Sequence, residues 1–169
     1  MPVASGLGNF LLLNRKHTTK NAMGFSDLAK MRERLQLLPL SIPTLIGDAV
    51  AEYSEIIADL NREQLEKGEN PEMAPIRPPY RNPSYARMKQ AKNPKPAFKT
   101  PDLILTGAFV GSIKVYAFAD SFELRANDKK TKDLLTKYGA VVGLSPFSIG
   151  RMQNELIRPY LQRKIKNLL

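Results

Sequence analysis

Residues 44–67 read TLIGDAVAEYSEIIADLNREQLEK and carry the longest helical pattern in the chain. Apolar side chains recur there every three or four residues, which is the spacing of one face of an α-helix. Gly68 follows at the position where glycine ends helices. We therefore predict a helix over 44–67 with one broad buried face. Its members are Leu45, Ile46, Ala49, Val50, Tyr53, Ile56, Ile57, Leu60 and one polar residue, Gln64.

A second pattern, of period two, covers residues 112–126. Apolar and polar side chains alternate in two runs, and Ala119 and Asp120 stand between the runs. Alternation of this kind is typical of strands with one buried face. It predicts an antiparallel hairpin with strands over 112–118 and 121–126. The expected inward residues are Ile113, Val115, Ala117, Phe122 and Leu124.

Toward the N-terminus, a shorter helix is predicted from Ser26, which can cap it, to about Leu38. Its apolar stripe consists of Leu28, Met31, Leu35 and Leu38. Pro39 should end it, because proline lacks the N–H that the helix interior uses. Residues 1–25 contain three glycines and a small basic patch without periodicity, which predicts a flexible arm.

Toward the C-terminus, a short helix is predicted over 131–138, ended by Gly139, and a buried strand or loop over 140–144. The last helix should begin at Ser148. Its apolar face is expected to contain Ile149, Met152, Leu156, Ile157, Tyr160, Leu161, Ile165 and Leu168. Pro159 lies inside this pattern and should kink or divide the helix.

The segment 70–101 differs from both flanks. Eight prolines exclude long regular structure, and only 84–92 has the composition of a short helix. No acidic residue lies between Glu72 and Asp102. Two interpretations remain open, an arm that docks on a neighbouring subunit and an element that binds single-stranded nucleic acid through cations and aromatic rings. We favour the arm, because prolines pre-extend a docking segment. The interface residues predicted on this basis are Arg77, Tyr80, Arg81, Tyr85, Arg87, Lys89, Lys92, Lys95, Phe98 and Lys99.

The order of helices, linker, hairpin and helix predicts an α+β fold. A small antiparallel sheet should pack against a long N-terminal helix and a C-terminal helix, with the proline-rich segment as an extended arm. We expect one domain over 26–169, preceded by the arm 1–25.

The composition of the chain argues against most kinds of catalytic and metal-binding site. The chain of 169 residues has a net charge of +10, no cysteine, and one histidine, His17, which lies in the predicted flexible arm. No nucleophile, acid–base pair or metal-ligand spacing is apparent, so we expect a protein that is not an enzyme and has no cofactor or metal. No apolar stretch is long enough for a signal core or a membrane span. The basic balance favours a polyanionic or acidic partner.

From Pro83 onward, the chain carries an ordered series of short pieces. They are Pro83-Ser84-Tyr85-Ala86-Arg87, Leu105-Thr106-Gly107-Ala108-Phe109, Ser112-Ile113, Tyr138-Gly139, Gly143-Leu144-Ser145 and, in the last helix, Ile157, Tyr160 and Leu161. This order resembles the tail-completion and virion-morphogenesis proteins of tailed bacteriophages. The residues that carry the expected fold motif are Leu105, Thr106, Gly107, Ser112, Ile113, Tyr138 and Gly139.

The resemblance implies a structural virion protein, made in the host cytoplasm, that forms a sixfold or twelvefold ring with copies of itself. Such a ring would lie in the neck between the portal or adaptor and the tail, and its DNA contacts would lack sequence specificity. The alternative is a basic accessory protein that binds nucleic acid through residues 77–99.

Overall fold

The computed structural model describes residues 25–118 and 121–168. Its helices are α1 (Phe25–Glu52), α2 (Ser54–Glu66), α3 (Pro83–Lys92), α4 (Ala108–Gly111), α5 (Thr131–Tyr138), α6 (Pro146–Arg151) and α7 (Arg158–Leu168). A π-helical segment, Met152–Ile157, joins α6 to α7, and strands β1 (Ile113–Ala117) and β2 (Phe122–Ala126) form the sheet. The predicted α+β class is confirmed. His17 and the predicted turn residues Ala119 and Asp120 lie outside the described residues, as does the predicted arm up to residue 24.

The hairpin has the predicted antiparallel arrangement. Val115 pairs with Leu124, and Ile113 pairs with Ala126. Ile113 is completely buried, whereas the side chains of Lys114 and Glu123 are exposed. One face of the sheet is therefore directed at the core, as the alternation of the sequence predicted.

Helix α2 lies at the centre of the core. Its residues Ile57 and Leu60 pack in one buried cluster with the inner end of α1 and with Met152, Ile157 and Tyr160. Its residues Ala58 and Leu65 pack in a second cluster with Ile76, Phe109, Val110, Ile113 and Val141. Val115 of β1 contacts both clusters, so the two form one continuous apolar interior.

The predicted helix over 44–67 is interrupted in the structure. Tyr53 has φ −100° and ψ 16° and separates α1 from α2. Ile56, which we predicted to be buried, is 48% exposed. The buried residues of α2 begin one position later, at Ile57 and Ala58. The Tyr53 N–H still donates to the Ala49 carbonyl at 3.0 Å, and the Ile57 N–H donates to the Tyr53 carbonyl at 2.9 Å, so the buried face continues across the distorted residue. Gly68 ends α2 with φ +72°, as expected for a glycine after a helix.

The predicted end of the N-terminal helix at Pro39 is wrong. Helix α1 already includes Ser26 and continues through Pro39 and Pro43 to Glu52. Each proline removes only its own N–H, and no residue from 28 to 48 is buried. The carbonyl groups that lose a partner are therefore near solvent, where water can satisfy them.

The last helix begins earlier than predicted. Ser145, not Ser148, is the N-cap, and its Oγ accepts a hydrogen bond from the Ser148 N–H at 3.2 Å. Pro146 follows at the first helical position, where proline is favoured. The predicted disturbance near Pro159 is present as the π-helical segment that ends at Ile157. The predicted element over 140–144 is a loop, in which Val141 is completely buried.

Candidate functional site

The proline-rich segment 70–101 is folded onto its own subunit. Ile76 is 2% exposed and belongs to the core, and Pro96 and Pro101 are buried. Asn93 Nδ2 donates a hydrogen bond to the Glu66 carbonyl of α2 at 2.7 Å. The segment is irregular apart from α3, as predicted. The expectation of an arm that extends away to a neighbour is wrong, because these contacts hold the segment against α2.

The predicted interface residues separate into three groups. Lys89 is 4% exposed, so its inclusion in an interface is wrong. The partly buried group consists of Tyr80, Tyr85 and Lys99, and the exposed group of Arg77, Arg81, Arg87, Lys92, Lys95 and Phe98. Only the exposed group is fully available to a partner.

Lys89 is buried because it forms an ion pair with Asp102, which sequence reasoning did not single out. Lys89 Nζ lies 2.5 Å from Asp102 Oδ1, and Asp102 is 1% exposed. Asp102 also accepts hydrogen bonds from Asn93 Nδ2 at 3.1 Å and from the Ile104 N–H at 3.2 Å. The only signal in the sequence was that Asp102 is the first acid after the long basic run. The pair fastens α3 to the chain that leads into the sheet.

Three tyrosines lie beside this ion pair. Tyr80 and Tyr85 meet edge to face, with ring centroids 5.0 Å apart, and the Tyr80 hydroxyl donates to Asp102 Oδ1 at 3.4 Å. Together with Tyr138 of α5 they line a cavity of about 270 Å³, whose polar rim includes Thr106, Lys129 and Lys130. Burial raises the pKa of the Tyr80 phenol strongly, and the negative charge of Asp102 adds to this effect.

The raised pKa of Tyr80 predicts a loss of stability at alkaline pH. A phenol whose pKa is higher in the folded than in the unfolded chain stabilises the fold below the unfolded value, about 10, and this stabilisation is lost as the pH rises toward the folded pKa. The urea midpoint of the wild type should therefore fall above about pH 10. Tyr80→Phe should show a shallower fall between pH 9 and 11, because phenylalanine has no proton to lose. Parallel curves for the two proteins would contradict this assignment.

The cavity brings together residues that are far apart in the sequence motif. Tyr85, Leu105, Thr106 and Tyr138 all line it, although they span three of the short pieces. Gly107 begins α4 with φ +76°, and Gly139 ends α5 with φ +76°. Both glycines therefore occupy backbone conformations that other residues adopt only with strain. Ser112 and Ile113 lie apart from the cavity, where they lead into β1 and the core.

The exposed cations of the proline-rich segment differ in their pairing. Lys95 Nζ lies 2.5 Å from Glu66 Oε2. Arg77, Arg81, Arg87 and Lys92 form no ion pair with any described residue, and Lys99 lies over the ring of Phe98 at 5.8 Å. The basic charge of this segment is therefore mostly uncompensated within the described part of the chain.

The outer part of α1 exposes a group of leucines, of which Leu28 and Leu35 belong to the apolar stripe predicted for this helix. Leu28 is 48% exposed, Leu35 is 45% exposed, and Leu40 is 77% exposed. From residue 35 to residue 47 the helix contains no charged side chain. An exposed apolar surface of this kind usually marks a contact with another molecule.

Several acidic side chains of the described residues take part in structural contacts, and they do not gather into a metal site. The described residues contain no group of three or more metal-ligating side chains. The acids on the exposed side of α2 have a structural task, since both Glu55 and Asp59 pair with Arg62. Arg62 in turn donates to the Val110 and Ile113 carbonyls, at 3.1 and 2.9 Å. This cluster joins α2 to the start of β1.

Comparison with known proteins gives no match. No protein-family model, curated protein or solved structure matches the chain significantly. None of the helices within 25–118 and 121–168 combines the length and apolar character needed to cross a membrane.

Proposed function

We propose that the chain is a structural virion subunit that assembles with copies of itself into a sixfold or twelvefold ring. The ring would join the head of a tailed phage, at its portal or adaptor, to the tail. The resemblance of the short sequence pieces to phage tail-completion and virion-morphogenesis proteins supports a position between head and tail. The surface of α1 supports assembly.

The main observation in favour of self-assembly is that the middle of α1 is exposed and uncharged. The exposed fraction is 45% for Leu35, 55% for Leu37 and 77% for Leu40. Burying a leucine side chain stabilises a contact by about 1.5–3 kcal/mol. Several exposed leucines could therefore contribute substantially to the free energy of association. A chain that leaves them exposed in its monomer gains most by association.

The remaining motif residues support a scaffold that presents such a surface. Gly107 and Gly139 flank helices, Ser112 and Ile113 lead into the sheet, and Leu105, Thr106 and Tyr138 line the tyrosine cavity. A rigid body of this kind suits a protein whose task is to hold neighbours in register.

The proposal predicts a ring-sized mass in solution that does not depend on salt. We expect light scattering to give six or twelve times the 18.9 kDa of one chain, at both 50 mM and 1 M NaCl. Apolar contacts are not screened by salt, whereas contacts between surface charges are. A monomer at both salt concentrations would contradict a self-assembling ring.

The uncompensated cations favour nucleic-acid binding as a second candidate function. Arg81, Arg87 and Lys92 are exposed and unpaired among the described residues, whereas Lys95 already has a partner in Glu66. If these cations contact phosphates, the logarithm of the DNA affinity should fall linearly with that of the salt concentration. On single-stranded DNA, Arg81→Ala and Arg87→Ala should each reduce that slope by about 0.7, and Lys95→Ala should change it less. Equal slopes for all variants would argue against this function.

A further inference from the structure

Helix α1 has apolar side chains on two opposite sides. The first face consists of Leu28, Met31, Leu35, Leu38, Ile42 and Leu45, which follow one another at alternating spacings of three and four residues. The second face consists of Leu37 and Leu40, one turn apart. With 3.6 residues per turn, the second face lies on roughly the opposite side of the helix from the first. Pro39 and Pro43 lie between the two faces.

Among the residues 25–118 and 121–168, no element buries either face along the outer part of α1, although Met31, Leu38, Ile42 and Leu45 of the first face are partly buried. No residue from 28 to 48 is buried, and the first core residues of α1 are Ala49 and Val50. Ile46 is the outermost α1 residue that packs against the core cluster. The second face is the more exposed, with Leu37 at 55% and Leu40 at 77%. A helix that is apolar on both sides normally has neighbours on both sides.

The lack of charge along this part of α1 allows the neighbours to be copies of the same chain. Each chain has a net charge of +10, so two copies repel one another over most approaches. The stretch between Arg34 and Asp48 contains no charged residue and is therefore a place where like-charged copies can meet without placing cations together. The spacing of the first face, alternately three and four, is that of a seam which accepts another helix.

The number of faces indicates how the copies are arranged. A twofold dimer needs one self-complementary patch, whereas a head-to-tail ring needs two different patches on every subunit. We infer that the α1 helices of successive copies pack side by side in the ring, with the first face of one copy against the second face of the next. This inference rests on the proposed ring and identifies the contact that closes it.

The test uses one glutamate on each face. Leu35→Glu blocks the first face, and Leu40→Glu blocks the second. Both positions are exposed in the subunit, so both variants should fold with unchanged helical content, as circular dichroism can verify. Each variant alone should lose the ring and give the 18.9 kDa mass of one chain. An equimolar mixture should give twice that mass and no more, because only one intact pair of faces remains.

A matched control lies elsewhere on the surface. Phe147 of α6 is 61% exposed, and Phe147→Glu should keep the ring mass of the wild type. If Leu40→Glu alone forms dimers, the first face pairs with itself and the inference is overturned. If both variants keep the full ring, the ring function stands but α1 does not close it. A wild type that remains monomeric at both salt concentrations overturns the ring function itself.

Discussion

Replacing Asp102 with alanine should lower the free energy of unfolding by about 3–5 kcal/mol, the largest effect that we expect from a single substitution. The substitution leaves the ammonium group of Lys89 buried without a counter-charge. Lys89 is 4% exposed, and Asp102 is its only ion-pair partner among the described residues. Urea unfolding followed by circular dichroism measures the change.

The two partners of this pair should not be equally sensitive. Asp102 keeps three other donors when Lys89 is removed, namely the Tyr80 hydroxyl, Asn93 Nδ2 and the Ile104 N–H. Lys89→Met should therefore cost less than Asp102→Ala, because the carboxylate still has hydrogen bonds. The double variant Lys89→Met/Asp102→Ala should recover much of the loss, since no buried charge is left unpaired.

A surface ion pair supplies the control. Glu66 pairs with Lys95, and both side chains are considerably exposed. Glu66→Ala should change the free energy of unfolding by less than about 1 kcal/mol, because solvent screens the pair. If Asp102→Ala were as mild as Glu66→Ala, the Lys89–Asp102 pair would not hold the proline-rich segment in place.

Gln64→Leu should lower the free energy of unfolding by about 3 kcal/mol, because buried donors lose their acceptor. Gln64 is 5% exposed, and its Oε1 accepts hydrogen bonds from the Ser145 N–H and from Ser148 Oγ, both at 2.8 Å. Its Nε2 donates to the Gly143 carbonyl at 3.1 Å. Leucine fills the space but can satisfy none of these groups.

A substitution at Glu63, the neighbouring residue of α2, is the control. It shows whether any substitution in this part of α2 lowers the free energy of unfolding. Glu63 is exposed and pairs with Arg151 at 2.9 Å. Glu63→Ala should change the free energy of unfolding by less than about 1 kcal/mol. Thermal unfolding of both variants beside the wild type measures the contrast, and a Gln64→Leu protein as stable as Glu63→Ala would show that the loop 143–145 does not depend on Gln64.

Because segment 70–101 is folded onto its own subunit, its exposed cations would meet a binding partner differently from those of an extended arm. An extended arm would lose conformational entropy on meeting a partner, whereas a segment already held by Ile76 and by the Lys89–Asp102 pair presents its exposed cations at fixed places. The cavity beside Tyr80 and Tyr138 belongs to the same region. A partner that meets this region therefore meets a preformed surface.

The elements that depend on local periodicity could be predicted from the amino-acid sequence. The hairpin over 113–126, helix α5, and the buried positions Ile57, Leu60 and Gln64 follow from spacings of two, three and four residues, and a strand or helix with one buried face must show such spacings. The glycine ends of α2 and α5 were likewise apparent, because few other residues adopt their positive φ.

The continuation of α1 through its prolines and the long-range contacts between side chains depend on packing in three dimensions. Pro39 does not end α1, because Pro39 is exposed and the helix can leave a carbonyl group to water at this point. Lys89 and Asp102 are thirteen residues apart in the sequence, and Gln64 and Ser148 are eighty-four residues apart. No local sequence pattern therefore predicts either contact. Whether a lysine is a surface cation or a buried partner is determined by what folds over it, and that is a property of the whole chain.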